Sequence, residues 1–191
     1  MRHNVSAGVI SRRLGQKDGG YTVGVLLQAN FGLRPQLMVA GVPVGKEIPA
    51  NDARDGAGAG DAEAGSVIVV VATDAPLLPH QLKRLARRVG LGLARTGAMS
   101  GNGSGDIFIA FSTANPGAFA AAGVANVQVL SNESISPLFD ATALATEEAV
   151  INALVASDTM TGAGNRRVIG LPHDRLREVL RKYNRLVNPA S

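Results

Sequence analysis

The chain has 191 residues, 46% of them hydrophobic, 18% charged and 4% aromatic, with a net charge of +4. That is enough apolar material for the core of one domain. The absence of cysteine excludes disulfides, thiolate nucleophiles and zinc–thiolate sites, and with no Trp and two Tyr the chain lacks the stacking platforms of a nucleic-acid binder.

The first residues, MRHNVSAGVISRRLGQ, hold no continuous apolar region, and no run approaches the ~20 residues of a membrane span. The expectation is a soluble, cytoplasmic protein with neither a membrane nor a nucleic-acid partner. From Tyr21 to Ala29, YTVGVLLQA is β-branched and apolar between Gly19-Gly20 and Asn30-Phe31-Gly32, which predicts a strand. Residues 36–44, QLMVAGVPV, predict a second strand, paired with the first as a hairpin through NFGLRP. Residues 46–65 hold small, acidic and glycine residues with almost nothing to bury, the composition of a mobile linker.

The linker stops at Ser66, and Val67 to Ala72 are all apolar. So short a continuous run predicts a strand covered on both faces, the middle of a layered fold. Pro79 opens a helix in which Leu82, Leu85, Val89 and Leu93 share one side, while Lys83, Arg84, Arg87 and Arg88 form a solvated face. A glycine-dense loop over 97–105 leads to a strand over 107–114, then helices over roughly 138–156 and 173–184, the last with Leu176, Val179, Leu180 and Tyr183 on one face. The sum is one structural domain of the α+β class, with helices packed outside a two-sheet core.

The junction Gly65-Ser66 admits two readings. In one, a surface loop simply enters the core and Ser66 satisfies a backbone group at the strand start. In the other, the bond before Ser66 is cut and Ser66 becomes a new N-terminus. Its α-amine, titrating near ~7.7–8.0, then accepts the proton of its own hydroxyl, so one residue supplies nucleophile and base. Glycine before the scissile bond tolerates strained geometry and leaves its carbonyl open to attack.

GNGSGD, Gly101 to Asp106, lacks a P-loop lysine and stands in the helix-to-strand order, so it is a poor phosphate cradle. It serves equally as a plain turn or as support for Ser66, with Asp106 holding the ammonium and Ser104 relaying a hydrogen bond. Asn30, ending its strand, is either a turn residue or an oxyanion donor. His3, His80 and His173 lie far apart without ligand spacing, so no metal and no cofactor are assigned.

GSVIVVVATDAPLLPHQLKRLARRVGLGLARTG with GNGSGDIFIAFSTAN, and upstream YTVGVLLQANFG with VAGVPVG, closely resemble the L-aminopeptidase/D-Ala-esterase-amidase family, which includes the β-peptidyl aminopeptidases. The resemblance runs from about Ser11 to the C-terminus outside the linker. It implies an αββα sandwich and autocleavage between Gly65 and Ser66, dividing residues 1–65, with the linker at 46–65, from a catalytic segment 66–191. It implies acyl-enzyme hydrolysis of N-terminal residues from small peptides, amides or esters. Ser66 matches the nucleophile, Ser104 a supporting serine, Asp106 an acidic residue that is Glu in some relatives, and Asn30 the oxyanion-hole asparagine. It also implies a homo-oligomer, a tetramer of processed units.

The family's segment before the cut is much longer, and its early glycine-rich strands and assisting tyrosine have no counterpart here. Residues 1–10 do not resemble the family. The expectation is a sandwich that is incomplete and a chain that is unstable, unprocessed or inactive by itself. Two alternatives are an acyltransferase resembling the ornithine acetyltransferases, which carry threonine at the cut, and a non-catalytic remnant that folds within an oligomer or binds small ligands.

Overall fold

The computed structural model describes residues 6–48, 65–119, 122–162, 165 and 167–187. Most of the linker, and His3, therefore lie outside the described residues. Strand β1 (Ser6–Arg13) pairs antiparallel with β2 (Thr22–Asn30), where the first strand was expected. The predicted hairpin does not form. Residues 36–44 instead make a tight reversal, with Ala40 and Gly41 at positive φ (51 and 77) and a bridge between Val39 and Val42. Left-handed residues at two consecutive positions cannot continue an extended strand. The chain then enters a short helix, α1 (Val44–Glu47), so the first residues of the expected linker are ordered and Ile48 is buried.

Strand β3 (Ser66–Thr73) pairs antiparallel with β2, and β4 (Ile107–Ser112) runs parallel to β3, giving the order β1-β2-β3-β4. The single helix expected from Pro79 is two, α2 (Pro79–Ala86) and α3 (Val89–Arg95). They precede β4 and form the crossover that a parallel pair needs. Helix α4 (Ser136–Ala156) starts two residues before its predicted position. A two-stranded ribbon, β5 (Met160–Thr161) with β6 (Arg167–Val168), was not foreseen, and α5 (His173–Lys182) was.

The main core lies between one sheet face and the helices. Val23, Val25 and Leu27 of β2 and Val67, Val69 and Val71 of β3 meet Leu85, Val89, Leu93 and the small face of α4, Ala141, Ala145, Ala149 and Ala153. Burying one such leucine contributes about 2 kcal/mol. Small residues let α4 lie close to the sheet: a Cβ on Gly8 would stand 1.9 Å from the Ala149 carbonyl oxygen. Arg12 of β1 pairs with Glu148 of α4 at 2.6 Å. The buried Gln81 ties α2 to the loop before α4, accepting from the Leu78 N–H at 2.9 Å and donating to the Leu130 carbonyl at 2.8 Å.

The described residues cover one face of β3, where the sequence predicts cover on both. Its side chains alternate, with Val67, Val69, Val71 and Thr73 buried while Ile68 is exposed. The apolar run reflects two apolar faces, of which the described residues cover one.

A smaller core joins α1 to α5, where Leu176 and Val179 pack on Val39, Val42, Val44 and Ile48. At its rim the Tyr183 hydroxyl donates to Glu47 Oε1 at 2.6 Å and the Lys182 ammonium reaches Glu47 Oε2 at 2.9 Å. The tyrosine hydrogen bond first, and the lysine second, hold the Glu47 carboxyl below its ordinary range. A lowered folded-state pKa means this anchoring is complete above the ordinary carboxylate pKa and is lost as pH falls through the lowered value. Glu47→Gln is therefore expected to lower the melting temperature slightly at neutral pH. The difference from the parent should vanish as pH is lowered through the carboxylate range, which paired thermal melts will show.

Candidate functional site

The sheet register gathers the expected residues at one end. Ser66, first in β3, lies opposite Asn30, last in β2. The parallel pairing that begins at Ile68 and Ile107 draws the loop before β4 alongside, so Ser104, Gly105 and Asp106 reach the same corner. Ser66 is half-buried and Gly65 is buried. A Cβ on Gly65 would stand 2.1 Å from the Asn30 carbonyl oxygen and 2.8 Å from the Phe31 Cα, both backbone atoms with little room to yield. The residue before Ser66 must be glycine because two chain segments cross there.

The Ser66 hydroxyl oxygen accepts a hydrogen bond from the Gly105 N–H at 3.1 Å. An amide pointed at that oxygen orients the hydroxyl and disperses charge as its proton leaves. Asp106 acts one residue further along: its Oδ1 accepts from the Val67 N–H at 3.1 Å and from the Ser104 hydroxyl at 2.5 Å. Its other oxygen accepts from the Ser100 hydroxyl at 3.4 Å. The carboxylate thus grips the backbone just after Ser66, with Ser104 against it, and its hydrogen bonds go to Val67, Ser104 and Ser100 rather than to the Ser66 hydroxyl.

Asn30 presents a different electrostatic picture. Its side-chain oxygen is buried without a hydrogen-bond partner. A buried polar atom left unpaired costs about 1–3 kcal/mol, and as an acceptor it can be completed only by a donor, so an oxyanion role falls to the amide nitrogen of the same side chain.

Two contributors escaped the sequence reading. The Gly105 N–H is a backbone group with no side-chain signature. Ser100 stands just before the glycine-rich run in a left-handed conformation, φ 48, that serine rarely adopts. His173 shares a 2.9 Å hydrogen bond with the Val155 carbonyl, far from this corner in the chain. Among the described residues no three His, Cys, Asp or Glu side chains gather to hold a metal.

Residues 5–168 match the family described as peptidase family S58. A β-peptidyl aminopeptidase of Sphingosinicella microcystinivorans is 48% identical over 192 residues, covering 94% of this chain and 48% of its own length. The solved structure of a β-aminopeptidase from Burkholderia sp. superposes with a TM-score of 0.79 at 44% identity, over 94% of this chain and 50% of that one. The L-aminopeptidase D-Ala-esterase/amidase of Ochrobactrum anthropi, described as a prototype serine aminopeptidase with a variant of the Ntn hydrolase fold, superposes at 0.82 with 44% identity, over 97% and 50%. The fold is thus of the Ntn hydrolase type, and the match reaches into β1, which the sequence reading had set aside. The chain spans about half the length of the curated relatives it matches.

Proposed function

The chain belongs to peptidase family S58, and from that premise we propose that it is the catalytic portion of a self-processing serine aminopeptidase. Such an enzyme releases N-terminal residues from small peptides, amides or esters. The observation that carries the reading is the corner itself. A serine hydroxyl fixed by the Gly105 N–H follows a glycine that has no room for a side chain, directly across from an asparagine with an unpaired buried oxygen.

In the first reaction the Ser66 hydroxyl oxygen attacks the Gly65 carbonyl carbon. The C–N bond breaks as the Ser66 nitrogen takes a proton, leaving an ester that water hydrolyses to a Gly65 carboxylate. The freed Ser66 α-amine then serves as base for its own hydroxyl. That oxygen attacks a substrate carbonyl, the amine or alcohol leaves with the proton, and water releases the acyl group. The Asn30 side-chain N–H is the donor for the developing oxyanion, while the Gly105 N–H holds the attacking Ser66 oxygen. Asp106 fixes the Ser66–Val67 backbone and, with Ser104, favours the protonated amine at each turnover. The resemblance adds assembly as a cytoplasmic homo-oligomer, a tetramer of processed units. No helix among the described residues is long and apolar enough to cross a membrane.

The direct test is the mass of the purified protein together with release of a chromogenic amine from aminoacyl anilides of L-, D- and β-residues. A fragment beginning at Ser66 and hydrolysis dependent on it are the expected results. A protein that hydrolyses nothing and stays uncut in its fully assembled form overturns the reading. Asp106→Asn keeps an acceptor for the Val67 N–H and removes the charge. It is expected to lower turnover about 10- to 100-fold, the worth of a hydrogen bond to a charged group at roughly 1.5–3 kcal/mol. Melting temperature should change little, and unaltered turnover in a processed variant would remove Asp106 from the mechanism.

A further inference from the structure

The loop that carries Ser104, Gly105 and Asp106 to the corner is fixed at both ends. At its root, a Cβ on Gly97 would stand 1.8 Å from the Gln36 carbonyl oxygen, and the Met38 N–H donates to the Thr96 carbonyl at 3.1 Å. Gln36 and Met38 belong to the segment that leaves Asn30, so this crossing ties the two arms of the site together. At its other end the loop passes directly into β4 at Ile107, paired with Ile68. Between these anchors the chain turns where the Ser104 N–H donates to the Gly101 carbonyl at 2.9 Å. A side chain closes it: the Ser100 hydroxyl donates to Asp106 Oδ2 at 3.4 Å.

Ser100 is costly where it stands. Among the described residues, four other than glycine have positive φ: Ala40, Ser100, Asn165 and Asn184. Asparagine visits that region readily, and serine does so at a cost. Glycine would adopt φ 48 without penalty, and the loop already holds glycine at 97, 101, 103 and 105. Packing does not account for the side chain either, since Ser100 is exposed. Unfavourable backbone persists where the surroundings hold it and clusters at functional sites. Here the side chain that comes with it donates to Asp106.

We propose that Ser100 is a positioning residue for the reaction at Ser66. Its hydroxyl closes the loop onto Asp106 and so sets two groups at once. One is the carboxylate that holds the Val67 N–H; the other is the Gly105 N–H, one residue before it, that meets the Ser66 oxygen. Val67 and Ser104 both donate to Oδ1. A donor on Oδ2 therefore resists rotation of the carboxylate about its Cβ–Cγ bond, a broad and soft torsion. At 3.4 Å the bond is long for a hydroxyl donor, so it tunes the rate and does not decide whether the reaction runs. This role rests on the function proposed above; the closure of the loop does not.

Three substitutions separate the hydroxyl from the backbone, because Gly, Asn and Asp all suit a left-handed position. Ser100→Gly removes the donor, Ser100→Asn puts an amide donor in its place, and Ser100→Asp sets a carboxylate against a carboxylate. Melting temperatures of all three should lie near the parent's. In the fully assembled protein, self-cleavage and turnover are expected to fall about 3- to 10-fold in Ser100→Gly, the worth of one ordinary hydrogen bond, with KM unchanged. Ser100→Asn should restore most of that loss, and Ser100→Asp should be slowest. Hydrogen exchange followed by NMR reads the same closure without activity. The Val67 and Gly105 amides should exchange about 3- to 10-fold faster in Ser100→Gly, and less so in Ser100→Asn. Equal rates across the three variants of an active protein, or amides indifferent to them, would overturn the proposal. A protein that neither cuts nor hydrolyses, yet whose two amides respond in this order, would overturn the function proposed above and leave the loop closure standing.

Discussion

Ser66→Ala is expected to yield one uncut chain under conditions where the parent yields residues 1–65 and 66–191 as separate pieces. Attack on the Gly65 carbonyl requires an oxygen at that position, and no other described hydroxyl lies opposite Asn30. Ser104, the nearest alternative in the loop, already donates its proton to Asp106 at 2.5 Å. Loss of the nucleophile should lower both self-cleavage and hydrolysis by several orders of magnitude, on the order of 10⁶ where serine hydrolases have been disarmed in this way. Ser66 is only half-buried and its oxygen has one hydrogen bond, to the Gly105 N–H, so the fold should survive. Intact mass and N-terminal sequence are the measurements. Cleavage at this bond that persists in the variant would end the case for Ser66.

Asn30→Ala is expected to separate rate from stability. Removal of one oxyanion donor costs roughly 10²–10³ in rate, and self-cleavage followed by mass should slow by that factor. Truncating a side chain whose buried oxygen has no partner removes a penalty along with a contact, so melting temperature should stay near the parent's. Asn30→Asp, nearly the same shape, replaces the donor by a carboxylate facing the developing negative charge and should be slower still. Equal falls in rate and stability across both variants would make Asn30 a structural turn residue.

The parts of this molecule legible in its sequence are those decided locally. The apolar run after Ser66, the strand ending at Asn30, and helices α4 and α5 each announce themselves by periodicity and flanking residues. Strand β1 did not, because Gly8, which β1 needs to approach Ala149 of α4, weakens the strand pattern it belongs to. The false strand over 36–44 has strand composition but turns back at Ala40 and Gly41, where tertiary packing of Val39, Val42 and Val44 decides the backbone. The continuous run of β3 reports two apolar faces, and sequence alone does not say which of them the described residues cover.

The same division holds at the site. Ser66, Ser104 and Asp106 were visible as residue types at a suggestive junction. Their meeting depends on a parallel pairing across the α2–α3 crossover, and the placement of Asn30 across from Ser66 depends on register. The Gly105 N–H has no letter of its own to be read.

Strands β2 and β3 are zipped from Val23 and Thr73 to Asn30 and Ser66, yet the bond proposed to break lies just past the end of that ladder. Cutting it leaves the sheet intact and changes what folding means. Before the cut, the two strands find each other within one chain, so their encounter is intramolecular. Afterwards they are separate molecules, and each must find the other again after every unfolding. Melting of the processed form then depends on protein concentration, and refolding on dilution becomes second order. On the proposed cut, the processed form is expected to persist by opening slowly rather than by reassembling readily.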